Sequence, residues 1–188
     1  MNIDRILINK LKSFENINSN LLNIVLALFG TLLLAISSKV QVPFWPVPMT
    51  MQTFVIFLIG MTYGVRLSFA TVALYLFEGA AGLPVFASGG GIAYLIGPTA
   101  GYLYGMLFAS VVISYLANLG FSKTYIKATL SLFVGAIIIF AFGIIYLGSI
   151  IGFEKAIVAG LLPFIPSEIF KIALAVTLIP TIQKVIKK

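Results

Sequence analysis

The sequence predicts an all-α membrane protein with six transmembrane helices and long apolar loops on one side of the membrane. Three observations support this fold class: 61% of the residues are hydrophobic, only 9% are charged, and the chain is 188 residues long. A soluble domain usually carries about 25% charged residues. At roughly 20 apolar residues per spanning helix, this length accommodates about six helices.

Two residue types on which many enzymes depend are missing. The chain has no Cys and no His, which excludes disulfides, thiolate nucleophiles, and the commonest metal ligand and general base. The stretch 120–124, Gly-Phe-Ser-Lys-Thr, lacks the upstream glycine and the Gly-Lys step of an ATP-binding phosphate loop. We therefore expect no catalytic residues, no metal site and no cofactor.

The chain divides into a polar, basic segment at residues 1–20 and a single membrane domain at residues 21–188. The first apolar run is longer than the core of a signal peptide, so we interpret it as a retained helix. The predicted spans are 21–38, 49–63, 67–81, 98–116, 128–147, and a sixth from about 166 to the basic tail.

Three connections between these spans are irregular. Residues 40–48 contain three prolines, which excludes a helix interior. Residues 82–97 are rich in glycine and interrupted by Pro84, and residues 148–165 have the composition of an interfacial segment. In a six-span chain all three connections lie on the same side of the membrane.

Charge predicts which side that is. One side of the six-span topology holds nine cations, namely Arg5, Lys10, Lys12, Arg66, Lys123, Lys127, Lys184, Lys187 and Lys188. The other side holds Lys39 and Lys155. The positive-inside rule therefore places both termini in the cytoplasm. It also explains the net charge of +7 without nucleic acid as a partner.

The irregular connections then lie on the outer side. Apolar, non-helical backbone is tolerated at membrane depth only where it is buried in protein or lines a cavity. We therefore expect a pocket near the outer surface, with these loops folded over it.

Three ionisable residues fall within or at the edge of predicted spans. Glu168 and Lys171 are three positions apart, hence on one face of the sixth helix. They form either a structural ion pair or a polar recognition pair for a ligand, and the pattern alone slightly favours recognition. Glu78 ends the third span, where it either sits in water or contacts a ligand.

Small residues suggest close approaches of the backbone. Gly90 lies in a triple-glycine stretch, which is either a flexible turn or a place where backbone meets a ligand. Gly97, Gly101 and Gly105 recur at the four-residue spacing of helix packing.

A similar stripe, Ala27, Thr31 and Ala35, lies on the first helix. It packs either inside the bundle or against a partner subunit. Trp45 is either an interfacial anchor or part of a lid.

Four strings occur in an order that resembles the BioY family, the biotin-binding S components of energy-coupling-factor (ECF) transporters. They are Val-Pro-Met-Thr-Met-Gln-Thr at 47–53, Gly-Leu-Pro-Val-Phe-Ala at 82–87, Gly-Pro-Thr-Ala-Gly-Tyr at 97–102, and Pro-Phe-Ile-Pro-Ser-Glu-Ile-Phe-Lys at 163–171. The resemblance covers about residues 20–185.

The resemblance implies biotin capture near the outer face of a bacterial cell (inner) membrane, with a coupling subunit and ATPase subunits as partners. For the biotin that the resemblance implies, we expect Glu168 to accept from the ring N–H groups and Lys171 to donate either to the ring carbonyl or to a pocket carboxylate. Gln52 would add an amide contact. The apolar lining would come from Phe86, Tyr102 and Trp45. The stripe of Ala27, Thr31 and Ala35 resembles the face by which S components meet the coupling subunit.

The family usually has Pro-Gly-Asp where this chain has Pro166, Ser167 and Glu168. The charge and the helical register are kept, but the acid is one methylene longer.

Other functions remain open. The ligand could be another small vitamin, and some family members occur without obvious partners, so an ECF module is not required by the resemblance. An intramembrane enzyme is disfavoured because no nucleophile or metal set accompanies the Glu–Lys pair. A purely structural subunit would have no need of apolar loops on one side.

Overall fold

A computed structural model describes the backbone of residues 19–187 and the side chains of residues 19–179. Residues 1–18, with Arg5, Lys10 and Lys12, lie outside the described part, as do the side chains of the three tail lysines. The prediction of a polar N-terminal segment therefore falls almost wholly outside it.

The described chain is built almost entirely of helices. They are α1 (Ser19–Lys39), α2 (Gln52–Thr62), α3 (Val65–Ala80), α4 (Ile92–Leu95), α5 (Ala100–Asn118), α6 (Tyr125–Ile151), α7 (Phe153–Gly160) and α8 (Ile165–Lys187). Short 3-10 helices at Phe121–Lys123 and Leu162–Phe164 precede α6 and α8. Two short strands, β1 (Gln41–Val42) and β2 (Met49–Thr50), form an antiparallel hairpin.

Each predicted span corresponds to one helix in the same order, namely α1, α2, α3, α5, α6 and α8. Within the described residues, four stretches are long and apolar enough to cross a membrane: Ser19–Lys39, Ala100–Asn118, Tyr125–Ile151 and Phe153–Ile179. The 11 residues of α2 extend only about 16 Å, since an α-helix rises 1.5 Å per residue. A hydrocarbon core is about 30 Å thick, so α2 alone does not cross it.

Among the helix boundaries that differ from the prediction, two differ for evident local reasons. The second helix begins at Gln52 rather than 49, because Met49 and Thr50 pair with β1. The fifth predicted span ends at Ile151 rather than 147, at Gly152, whose φ of 89° is a conformation that favours glycine. The segment after it is helical as well: α7 buries Ala156 and leaves Phe153 exposed.

The glycine stripe on α5 packs against α6. A Cβ on Gly105 would lie 2.8 Å from the Cα of Ile139, and one on Gly101 would lie 2.5 Å from the carbonyl oxygen of Phe142. The packing prediction is confirmed for these two residues. Gly97 lies before α5 begins and makes only ordinary contacts.

The stripe on α1 faces the inside of the bundle. Ala27 and Thr31 are buried, and Thr31 Oγ1 donates to Glu78 Oε1 on α3 at 3.1 Å. Ala35 is half-buried and packs against the core. These contacts pack α1 on α3 within the described part of the chain, and the assignment of the stripe to a partner interface stays a prediction.

Candidate functional site

A cavity lies where α2, α5, α6 and α8 meet the irregular connections. All three connections contribute to its wall, through Val47 and Pro48, through Ala87 and Tyr94, and through Phe164. The helices contribute Gln52, Thr53, Tyr102, Leu103, Met106, Ile139, Phe140, Glu168 and Lys171. The predicted pocket under the loops is therefore present in the structure.

The cavity is narrow. About 480 Å³ of it is free of protein atoms, a volume that includes its open mouth. The centres of water molecules could occupy only about 40 Å³ of that space. A single water needs about 10–15 Å³ by this measure, so side chains in the wall have to move apart to admit a ring system.

The Glu168–Lys171 pair lies at this wall, deep in the protein. The two residues are 5% and 2% exposed, and Lys171 Nζ lies 2.7 Å from Glu168 Oε1. Thr53 on α2 joins them: its hydroxyl donates to Glu168 Oε1 at 2.7 Å and accepts from Lys171 Nζ at 3.0 Å. Three side chains from two helices thus form one closed hydrogen-bonded triangle.

The local sequence explains how α8 presents this pair. The 3-10 turn Leu162–Phe164 leads into α8, and Pro166 suits its first turn, where a backbone N–H would be unpaired in any case. Glu168 lies in that first turn, where the helix dipole favours a negative charge. The three-residue spacing then brings Lys171 beside it.

One carboxylate oxygen remains without a partner. Glu168 Oε1 accepts both hydrogen bonds, while Oε2 is buried and has no hydrogen-bond partner within the described residues. Leaving a buried charged acceptor unpaired costs more than the 1–3 kcal/mol typical of a neutral group. Lys171 also has three N–H donors, of which these contacts use two. The pair therefore offers an acceptor and a donor side by side at the cavity wall.

Gln52 adds a second polar group to the wall. Its Nε2 donates to the Tyr75 hydroxyl at 2.7 Å, and its Oε1 accepts from Thr50 Oγ1 at 3.0 Å. The Tyr75 hydroxyl in turn donates to the carbonyl of Val85 at 2.8 Å. These bonds fix the orientation of the amide, whose second N–H stays available.

The apolar part of the wall is aromatic. Tyr102 stacks on Phe164 with ring centroids 6.5 Å apart and meets Phe140 edge-on at 6.0 Å. The Tyr102 hydroxyl donates to the carbonyl of Gly160 at 2.9 Å, so it is occupied by the protein itself. Gly143 makes room for the ring, since a Cβ there would collide with it. Tyr102 therefore offers a ligand its ring rather than its hydroxyl.

The cavity brings together four of the predicted site residues, Gln52, Tyr102, Glu168 and Lys171, and leaves four outside. Phe86 is fully buried and stacks on Tyr94, with the two ring centroids 4.9 Å apart. Its neighbour Ala87 lines the cavity instead. Glu78 bonds to Thr31, away from the cavity.

The other two lie at the surface. Trp45 is 86% exposed and lines a separate surface groove with Lys155. Gly90 lies in an adjoining groove and packs closely against the carbonyl of Leu83.

The segment 85–87 is held by side chains that the sequence analysis did not single out. Ser38 Oγ donates to the carbonyl of Val85 at 2.8 Å and Lys39 Nζ to that of Phe86 at 2.6 Å. Gln41 Nε2 donates to the carbonyl of Ala87 at 3.3 Å. The end of α1 thereby fixes the glycine-rich connection against the cavity.

Sequence reasoning also missed Thr53, Tyr94 and Phe164. Thr53 and Phe164 lie inside two of the four family-like strings, which is a signal that they are placed near Gln52 and Glu168. Tyr94 lies in no such string, and only the fold of the glycine-rich connection brings it to the wall.

A helical membrane protein with a cavity lined by a buried ion pair and aromatic side chains has the features of a small-molecule-binding membrane protein. The chain belongs to the BioY family, which it matches over residues 10–188. This is a family of transporters rather than enzymes.

Two relatives illustrate the match. The chain is 34% identical over 182 residues to the probable biotin transporter BioY of Rickettsia prowazekii, covering 96% of this chain and 93% of the relative. It is 36% identical over 160 residues to the probable biotin transporter BioY of Pyrococcus horikoshii, and this match covers 85% of this chain and 94% of the relative.

A solved structure has the same fold. It is a crystal structure at 2.1 Å of the S-component for biotin from an ECF-type ABC transporter, with a TM-score of 0.79 and 25% sequence identity. The match covers 89% of this chain and 93% of that one.

Proposed function

We propose that this chain is the substrate-binding subunit of a biotin uptake transporter, and that biotin binds in the cavity at the Glu168–Lys171 pair. The observation that carries the proposal is the unpartnered Oε2 of Glu168, buried at the cavity wall beside an ammonium group. The BioY relatives and the solved S-component support biotin as the ligand.

The chemistry of the ureido ring matches these groups. The ring offers two N–H donors and one carbonyl acceptor. Glu168 Oε2 accepts from a ring N–H, and the remaining N–H of Lys171 donates to the ring carbonyl. Charge-assisted hydrogen bonds of this kind are roughly twice as strong as neutral ones.

Polar contacts supply only part of the affinity. Nanomolar binding corresponds to about −12 kcal/mol, whereas a hydrogen bond to a charged group contributes about 1.5–3 kcal/mol. Burial of the bicyclic ring against Tyr102, Phe140 and Phe164 supplies the larger share.

The membrane setting and partners follow from the same proposal. The chain lies in the bacterial cell (inner) membrane with both termini in the cytoplasm, as the bias of cations predicts. The loop-covered cavity then faces outward. The chain delivers biotin with an ECF coupling subunit and ATPase subunits, as the similarity to an S-component supports. A second mode, transport without such a module, is separated from this one by uptake measured with and without those subunits.

Glu168→Gln tests the proposal, with Glu78→Gln as the matched control. Both changes remove one carboxylate from the bundle, but only Glu168 lies at the cavity. Biotin is titrated into each purified variant in detergent. We expect Glu168→Gln to weaken binding about 10- to 100-fold, the equivalent of a hydrogen bond to a charged group. Glu78→Gln stays close to the unsubstituted chain. Unchanged affinity in Glu168→Gln contradicts the proposal.

A further inference from the structure

A second concavity, the outer groove, adjoins the cavity. It lies between Pro46 of the proline-rich connection, Ser88 and Gly90 of the glycine-rich connection, and Pro98 before α5. The centres of water molecules could occupy about 340 Å³ of it, against about 40 Å³ in the inner cavity. The outer groove is therefore much the roomier of the two.

The two spaces share a wall. Pro48, Tyr94 and Thr99 line both the inner cavity and the outer groove. Each of the three is half-buried. A ligand that is too long for the inner cavity would therefore meet these three residues before it reaches the outer groove.

The outer groove differs from the inner cavity in charge. The inner cavity has an acid and an amine in its wall. Among the described residues that line the outer groove there is no Asp, Glu, Lys or Arg, and its polar groups are hydroxyls and glycine backbone. Ser88, Gly90 and Ala93 are exposed, so the groove opens to solvent.

We propose that the outer groove holds the aliphatic tail of the ligand whose ring system lies at Glu168–Lys171, and that the site accepts neutral tail ends as readily as a carboxylate. This inference rests on the proposed function. The inner cavity is too narrow to admit even a ring system unless its wall moves, so a tail has to extend beyond it. A carboxylate at the mouth of an uncharged groove keeps its water, so it neither gains an ion pair nor pays a large cost of dehydration. Amides and esters of the tail are therefore ligands too.

Titration of the unsubstituted protein with biotin and with its tail amide tests this directly. We expect dissociation constants within about threefold of each other, which is less than 1 kcal/mol. An amide that binds more weakly than this range overturns the inference and leaves the proposed function intact. If neither compound binds, the proposed function fails and the inference fails with it.

An alternative partner for the carboxylate is Lys155, which lines the neighbouring groove with Trp45 and Pro46. Lys155→Gln distinguishes the two. We expect biotin binding to stay unchanged in this variant, because the tail ends in the outer groove. A loss that affects biotin and not its amide assigns the carboxylate to Lys155 and overturns the inference.

Ala93→Trp tests the location, with Ile92→Trp as control. Ala93 lines the outer groove, whereas its neighbour Ile92 is 68% exposed and lines neither space. The ligands are biotin and an analogue whose tail is cut to a methyl group. We expect Ala93→Trp to weaken biotin at least tenfold while the truncated analogue is unaffected, and Ile92→Trp to affect neither. Equal losses for both ligands, or no loss of biotin binding, contradict the placement.

Discussion

Two carboxylates lie within the helical bundle, and their surroundings differ. Glu78 is half-buried between α1 and α3 and accepts a hydrogen bond from Thr31. Glu168 is 5% exposed, is paired with Lys171, and keeps one buried oxygen without a partner at a cavity wall. An acid in an apolar protein is therefore not in itself a binding site. What distinguishes Glu168 from Glu78 is a buried oxygen without a partner on a residue that lines a cavity.

The largest expected effect comes from Lys171→Ala. Removal of one partner from a buried ion pair costs about 3–5 kcal/mol, because the other charge is left uncompensated. We expect both a lower unfolding temperature in detergent and a loss of biotin affinity of at least about 100-fold. Thermal unfolding and biotin titration measure the two.

Lys155→Ala is the control, since Lys155 is exposed. If Lys171→Ala is as stable as that control and still binds biotin, the pair has neither of the roles assigned to it.

A smaller effect is expected when the threonine hydroxyl that hydrogen-bonds to each carboxylate is removed. Thr53→Val and Thr31→Val each remove one hydroxyl and keep the side-chain shape. Thr53 bridges Glu168 and Lys171, so we expect Thr53→Val to weaken biotin binding about tenfold, in line with a hydrogen bond to a charged group. Thr31→Val is expected to leave binding unchanged and to lower stability slightly. A reversed order in the titrations would assign recognition to Glu78.

The smallest effect is expected from Tyr102→Phe. The hydroxyl bonds to the carbonyl of Gly160, while the ring face lines the cavity. We expect biotin affinity to change less than about threefold and stability to fall by about 1 kcal/mol, since a buried carbonyl loses its partner. Titration and thermal unfolding check this. A large loss of affinity with intact stability would mean that the hydroxyl itself contacts the ligand.

The sequence predicts the fold class and the contact between Glu168 and Lys171 well, for physical reasons. A high content of apolar residues and few charges are enough to predict a membrane protein. A Glu and a Lys three positions apart on an apolar helix are costly to expose to lipid, so they are expected to face each other or a cavity. The packing of Gly101 and Gly105 is equally local, since it follows from helical spacing.

Long-range pairings were not predictable. The role of Thr53 depends on how α2 packs on α8, 115 positions away in sequence. The burial of Phe86 and the exposure of Trp45 depend on how the irregular connections fold, because apolar composition alone does not say which side chain points inward. The hydrogen bond from Thr31 on α1 to Glu78 on α3 is likewise long-range, since the two residues are 47 positions apart.

The central claim is tested most directly by an experimental structure of the protein with biotin bound. We expect a ring nitrogen of biotin within hydrogen-bonding distance of Glu168 Oε2, at about 2.8 Å, and the ring carbonyl within reach of Lys171 Nζ. A complex in which biotin binds elsewhere, with Glu168 Oε2 still unpartnered, would contradict it.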